Sequence, residues 1–260
     1  MSAPPNRLKA KLAAGERVFG TWSAIPSAVV ANVLAGAGVD FVILDLEHGA
    51  MGLETLETQL YGIETAGATP VVRVGTPDEA AILRVLEIGT RALMCSHVAT
   101  PAEAAHVASA CRYPPEGTRG LSPFTRIHDY TDSEVPLKLR AANEQIFCGV
   151  LVEGREGLAN LEAIAATPGV DMVYLGIYDI SMVAGAPGQL DHPDVLEIVR
   201  DSVAKIESAG AVAGSVARDR GYIQLLWDAG FRFISYRNDA TLLSDALREA
   251  VGWYRETRDG

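Results

Sequence analysis

The sequence predicts a single-domain (β/α)8 barrel, a TIM-type α/β fold, and three observations lead there. Short apolar segments of strand type recur about eight times along 260 residues, separated by stretches with helical periodicity. The junctions repeat one pattern, a glycine shortly before the next apolar run, in "AGAGVDFVILD", "LEIGTRALM", "TPGVDMVYLG" and "WDAGFRFISY". Glycine suits that place because it ends a helix in the left-handed conformation at little cost. Finally, no Gly-x-Gly-x-x-Gly follows the first strand segment and no GxxxxGK[ST] occurs, which weighs against open nucleotide-binding sheets.

In chain order, the strands are expected at Val18–Trp22, Phe41–Asp45, Pro70–Val74, Ala92–His97, Ile146–Glu153, Met172–Gly176, Ala211–Ser215 and Arg232–Tyr236. Most are rich in β-branched or aromatic residues and too short for helices. Between them, Ala28–Ala37, Glu79–Ile88, Pro193–Ser208 and Tyr222–Ala229 carry apolar residues at helical spacing. Nothing marks a linker, so one domain is expected over 1–260, with a short helix at the N-terminus and another at the C-terminus. Trp253 and Tyr254 in that last helix serve either oligomer packing or contact with their own barrel. The irregular stretch from Tyr113 to Glu134 has the length of a lid, a binding element or an interface arm.

Composition narrows the function classes. With 48% hydrophobic and 21% charged residues, the chain can bury a core and is not disordered. A formal net charge of −11, with lysine only at 9, 11, 138 and 205, would repel a phosphate backbone, so no nucleic-acid partner is expected. No apolar run is long enough to cross a bilayer, and Met1–Leu12 lacks the apolar core of a secretory signal. Cys95, Cys111 and Cys148 are odd in number, widely spaced and without CxxC, which favours buried reduced thiols over disulfides or zinc. Together these place the protein in the cytoplasm.

A barrel builds its chemistry where strands end, which sorts the polar residues. Strand two runs into Asp45-Leu46-Glu47-His48, and Arg73 is embedded in "PVVRV". Strand five ends at Glu153, and Asp179 stands at the corresponding point of the next unit. Two carboxylates on adjacent strand ends suit a hard divalent cation with water completing its shell. The residues alone leave alternatives open: a capped loop with a surface histidine, a structural ion pair for Arg73, and helix caps for the acids. His97 could face the site but reads more readily as a core or loop histidine. His106 and His192 read as surface residues, and His128 falls in the irregular stretch. Ser122 and Ser181 have neither a neighbouring base nor GxSxG.

With "GVDFVILDLEHG", "PVVRV", "RYPPEGTRG", "VEGREGLANL" and "GIYDIS…HPDV" in this order, the chain resembles the HpcH/HpaI aldolase family over nearly its whole length. The opening "GTWSAIPSAVVANVLAGAGVDFV" is also similar to macrophomate synthase, a family relative. The resemblance implies a homo-oligomer, a trimer or hexamer, and a magnesium, manganese or cobalt ion on Glu153 and Asp179. By position it implies His48 as general base, Arg73 as stabiliser of a developing enolate, Asp45 as the acid of the family's D-x-E-H segment and Glu87 as the carboxylate orienting His48. Gly176, Ile177, Tyr178 and Asp179 then hold the substrate carboxylate, with Trp22 and Leu151 beside it. Leu151 stands where the family often has glutamine, and "GPADLS" becomes "GIYDIS", so Ile177 and Tyr178 replace a proline and a small residue. A less polar pocket follows, with Tyr113–Glu134 contributing to it.

The implied reaction makes or cleaves a carbon–carbon bond between a 2-oxo acid and an aldehyde through a pyruvate enolate, with the cation acidifying C3. Lysine scarcity argues against a Schiff-base aldolase, because none of the four lysines lies on a strand. Two alternatives stand beside it: oxaloacetate decarboxylation or macrophomate-synthase-like bond formation, and a non-catalytic 2-oxo-acid binding protein.

Overall fold

In the computed structural model, which describes residues 6–259, eight parallel strands close into a barrel in sequence order. The ends of the expected 1–260 domain, residues 1–5 and 260, lie outside the described residues. The chain runs through α1 (Arg7–Ala13), β1 (Val18–Ser23), α2 (Ala28–Gly36), β2 (Phe41–Asp45), α3 (Leu53–Thr65), β3 (Thr69–Val74), α4 (Glu79–Glu87), β4 (Ala92–Cys95) and α5 (Pro101–Ala110). An irregular passage with one 3-10 turn at Arg126–His128 leads to α6 (Val135–Gln145), β5 (Phe147–Val152), α7 (Arg155–Ala159), α8 (Leu161–Ala165) and β6 (Met172–Leu175). The last third holds α9 (Ile177–Val183), α10 (Pro193–Ser208), β7 (Val212–Ala217), α11 (Arg220–Ala229), β8 (Phe233–Asn238) and α12 (Asp239–Asp259).

All eight anticipated strands are present, and the helix ends follow the glycine pattern. Gly38 (φ +93°) and Gly230 (φ +104°) take the left-handed conformation, as do Gly89 and Gly169 at the matching junctions. Three strands differ at their ends in ways that matter. β4 stops at Cys95 because His97 turns left-handed (φ +57°). β7 and β8 begin one residue later than expected and end two later, which carries Ala217, Arg237 and Asn238 into strands.

Side chains alternate across each strand, so one set fills the barrel and the other meets the helices. Phe41, Phe147 and Phe233 fill the interior, with the Phe41 and Phe233 rings stacked 3.9 Å apart. Gly20 makes that possible, since a Cβ there would sit 2.4 Å from Phe41. Val42, Leu44, Val72 and Leu93 point outward into the helix layer. α1 presents Leu8 and Leu12 to the interior cluster and so plugs the strand-start end. The Cys95, Cys111 and Cys148 thiols are unpaired and buried. No described helix is long and apolar enough to cross a membrane.

The Tyr113–Glu134 stretch is not a lid over this barrel's mouth. α5 runs back against the strands, so the stretch begins at the strand-start end, where Ile127, Asp129 and Glu134 line a cavity with Thr90, Arg91 and Ile146. Tyr113 and His128 are buried there, Tyr113 Oη lying 2.8 Å from His128 Nε2.

Candidate active site

At the opposite end, a cavity of about 650 Å³ opens among the strand C-termini. It gathers Trp22 from β1, Asp45 and His48 from the end of β2, Arg73 from β3, and Leu151 and Glu153 from β5. Gly176, Ile177, Tyr178 and Asp179 close it after β6.

Register builds the first part of the site. Asp45 and Arg73 are partners across β2 and β3, both pointing inward, and their side chains form a two-pronged ion pair. Arg73 Nε donates to Asp45 Oδ1 at 2.8 Å, and Nη2 donates to Oδ2. Such an arginine in a strand is tolerable only because its charge is matched. Burial alone would raise the Asp45 pKa, but the Arg73 hydrogen bond and charge, with the His48 and Glu47 amides, hold it below the usual value. Those two amides donate to Asp45 Oδ1 at 3.2 and 3.0 Å, curling the chain so that His48 stands at the cavity. Glu47 Oε2 lies 3.2 Å from Arg73 Nη1, and the guanidinium stacks over the Trp22 ring at 4.5 Å. Two of the five guanidinium protons are bonded to Asp45, while Nη1 meets Glu47 Oε2 as an ion pair without a hydrogen bond, so donors remain for a ligand.

The second part is a carboxylate pair. Burial, then the charge of Asp179, pushes the Glu153 carboxyl up to about 7. Gly176 gives Glu153 its place: a Cβ there would lie 2.7 Å from Glu153 Oε2 and 2.8 Å from its Cβ. These oxygen donors, crowded enough to hold a proton, suit a hard divalent cation. Among the described residues no cluster of three or more His, Cys, Asp or Glu side chains encloses a metal, so water or substrate would supply the remaining ligands.

Two residues stand out to which the sequence assigns no role, although it allows His97 to face the site. His97 bridges the two parts, with Nε2 2.7 Å from Glu47 Oε1 and Nδ1 2.7 Å from Glu153 Oε1. Glu47, unassigned within its D-x-E-H segment, thus contacts both Arg73 and His97. The strand-end rule supports this place for His97, which lies two residues past the end of β4.

Glu87 must be corrected. It is the last residue of α4, and a helix running back between parallel strands ends at their N-terminal side, across the barrel from the site. There it accepts from Arg119 Nη2 at 2.8 Å, and it makes no contact with His48. The His48 side chain is 74% exposed, with Glu47 Oε1 4.0 Å away.

The less polar pocket also needs amending. Leu151, Ile177 and Val216 do form an apolar wall, but Arg218, Arg237, Asn238 and Thr241 form a polar one. Ending β7 and β8 two residues early hid Arg237 and Asn238 from the sequence reading. Beneath the cavity, Trp22 Nε1 donates to Ser235 Oγ at 2.8 Å, and Tyr174 Oη lies 2.7 Å from the same oxygen. No lysine lines the cavity: Lys9 bonds the Ile146 carbonyl, Lys11 meets Asp40, Lys138 lies inside α6, and Lys205 pairs with Asp201.

Comparison with known proteins identifies the family. Residues 18–246 match the HpcH/HpaI aldolase/citrate lyase family. A hydroxypyruvate/pyruvate aldolase of Sagittula stellata is 36% identical over 254 residues, covering 97% of this chain and 100% of that protein. A crystal structure of an HpcH/HpaI aldolase/citrate lyase family protein from Burkholderia cenocepacia superposes with a TM-score of 0.90 at 33% identity, covering 96% of this chain and 99% of that one. Macrophomate synthase matches with a TM-score of 0.86 at 25% identity, covering 98% of this chain and 91% of its own.

Proposed function

The chain belongs to the HpcH/HpaI aldolase/citrate lyase family as a carbon–carbon lyase, and on that premise we propose a divalent-metal-dependent pyruvate aldolase acting through an enolate. One observation carries the reading: a buried, oriented guanidinium and a crowded carboxylate pair share one cavity at the strand ends. Glu153 and Asp179 would hold magnesium, manganese or cobalt. That cation, when bound, withdraws electron density from the 2-oxo acid and acidifies its C3 protons.

The remaining work falls to this chain's own groups. Backbone N–H groups at the start of α9, around Tyr178 and Asp179, orient the substrate carboxylate. Arg73 presents its uncommitted donors to the oxygen on which charge develops, and it needs no reorganisation because Asp45 and Trp22 hold it. His48 stands at the cavity as the base that takes the C3 proton. The enolate carbon then adds to an aldehyde, and cleavage runs the same path backwards. The aldehyde, like the 2-oxo acid, is a small-molecule partner.

Pyruvate C3 proton exchange in D2O, followed by NMR, tests this. Exchange is expected to stop with EDTA and return with Mg²⁺ or Mn²⁺. Exchange that resists the chelator overturns the reading.

A second reading, oxaloacetate decarboxylation, is favoured by the exposure of His48 and its lack of Glu87, because decarboxylation yields an enolate without a base. His48→Ala should then spare decarboxylation while abolishing aldol cleavage.

We further propose a homo-oligomer, trimeric or hexameric, packed through α12. Its residues Leu243, Leu247 and Val251 form an exposed stripe at i, i+4 spacing, continued by Tyr254. Sedimentation of the full chain tests this, and a monomer refutes it. The three unpaired cysteines fit a reducing, cytoplasmic setting.

A further inference from the structure

We propose that Arg218 and Arg237 recognise an anionic group, carboxylate or phosphate, on the acceptor aldehyde. The proposal rests on the aldolase reading and names the acceptor class for that same site. Both arginines line the cavity. Arg218 directly follows β7 and Arg237 stands on β8, strands that in a ring of eight lie across from β3 and β4, which carry Arg73 and lead towards His97. An acceptor entering from that side meets them before it meets the enolate.

The backbone at Arg237 is the strongest observation. Between β1 and β8 the register runs Thr21 with Tyr236 and then Trp22 with Asn238, so Arg237 is an extra, unpaired residue. Bulges of this kind re-aim a side chain beside active sites. Arg237 also has φ +44°, a left-handed conformation that glycine adopts freely and arginine does not. A long cationic side chain therefore stands where the backbone favours none, and it faces the cavity.

Its contacts hold it there. Arg237 Nε donates to the Arg218 carbonyl at 2.5 Å, tying the two strand ends together, and Nη1 pairs with Asp245. Arg218 Nε pairs with Asp219 at 3.1 Å, and its Nη2 pairs with Asp191. Among the described residues Arg218 Nη1 and Arg237 Nη2 have no hydrogen-bond partner. Two guanidinium ends with spare donors match an oxyanion's geometry.

The test compares acceptors matched in carbon skeleton, with pyruvate and Mg²⁺: succinic semialdehyde against butanal, and glyceraldehyde 3-phosphate against glyceraldehyde. Wild type should favour the charged member of at least one pair, and that pair identifies the group as carboxylate or phosphate. Arg237→Gly, which suits the left-handed backbone, and Arg218→Gln should each lower the charged-to-neutral ratio of kcat/KM about 10- to 100-fold. The loss should appear in the acceptor KM, with the pyruvate KM unchanged. Arg200→Gln, which removes an exposed cation of α10 outside the cavity, should leave the ratio alone. Pyruvate C3 exchange reports separately on the aldolase reading. Calorimetric titration of succinate and of inorganic phosphate reports binding even without turnover: at least one should bind wild type, and bind Arg237→Gly at least tenfold more weakly. An unchanged ratio in both variants, equal losses for charged and neutral acceptors, or equal binding of both anions by wild type and Arg237→Gly overturns the proposal.

Discussion

Gly176→Ala should disable the site while leaving the barrel folded. The backbone there, φ −78° and ψ +80°, is open to alanine, so the effect is one of space alone. The added methyl would stand 2.8 Å from Glu153 Cβ and 2.7 Å from its Oε2, whereas carbon–carbon contacts favour about 3.5 Å, so Glu153 must retreat by roughly 0.7 Å. Metal ligands tolerate about 0.2 Å, so the carboxylate leaves its position. We predict Mg²⁺ affinity at least tenfold weaker and pyruvate exchange about 100-fold slower, on the scale of an ångström-level misplacement. The strain releases into the cavity, so the folding cost should stay near 1 kcal/mol, the low end for overpacking. Calorimetric Mg²⁺ titration, NMR-detected exchange and urea unfolding give the three readouts. Gly154→Ala, where no atom lies within 4 Å of the new methyl, is the control for metal affinity. Wild-type Mg²⁺ binding and exchange in Gly176→Ala would refute the reasoning.

Three further predictions follow from the same contacts. Asp45→Asn leaves the Arg73 charge buried with only Glu47 near it, and should cost about 3 kcal/mol, the low end for breaking a buried pair; a urea midpoint matching wild type would count against it. In metal-free protein, Glu153 binds its proton more tightly folded than unfolded, with a pKa of about 7 against 4.5, so its contribution is complete below 4.5 and lost as pH rises through 7. Melting temperatures from pH 5 to 8 should therefore fall more steeply for wild type than for Glu153→Gln, and saturating Mg²⁺ should flatten the difference; parallel curves would contradict it. Asp239→Ala removes the buried acceptor of Ser23 Oγ (2.9 Å) and of the Ala24, Ile25 and Ala240 amides (3.0, 3.0 and 2.8 Å), and should cost about 3 kcal/mol. Denaturant unfolding that shows less than 1 kcal/mol would mean water replaces the carboxylate.

What was readable before any coordinates depended on local rules. Strand type, alternation and glycine-ended helices are properties of neighbouring residues, so the eight-stranded barrel and most strand positions followed from them. The strand-end rule then pointed to Asp45, His48, Arg73, Glu153 and Asp179, which all line one cavity. Glu87 shows where such reasoning stops. A motif position says nothing of which end of a helix faces the site, and α4 carries Glu87 to Arg119 instead. His97 and Arg237 show the converse. Each lies where a strand boundary or bulge decides the direction of a side chain, and a shift of one residue there reverses what it faces.

By itself, then, the sequence determined the alternation of strands and helices, the closure into a barrel, the lack of a lysine on any strand and the kinds of group at the strand ends. Only the tertiary structure decided which of those groups meet. The Asp45–Arg73 pairing depends on β2–β3 register, the Glu47–His97–Glu153 bridge on three separate strands, and the Arg218–Arg237 wall on one bulge. Periodicity is set by steps of two to four residues, whereas these contacts join residues tens of positions apart, and the pairing and register of the strands bring them together.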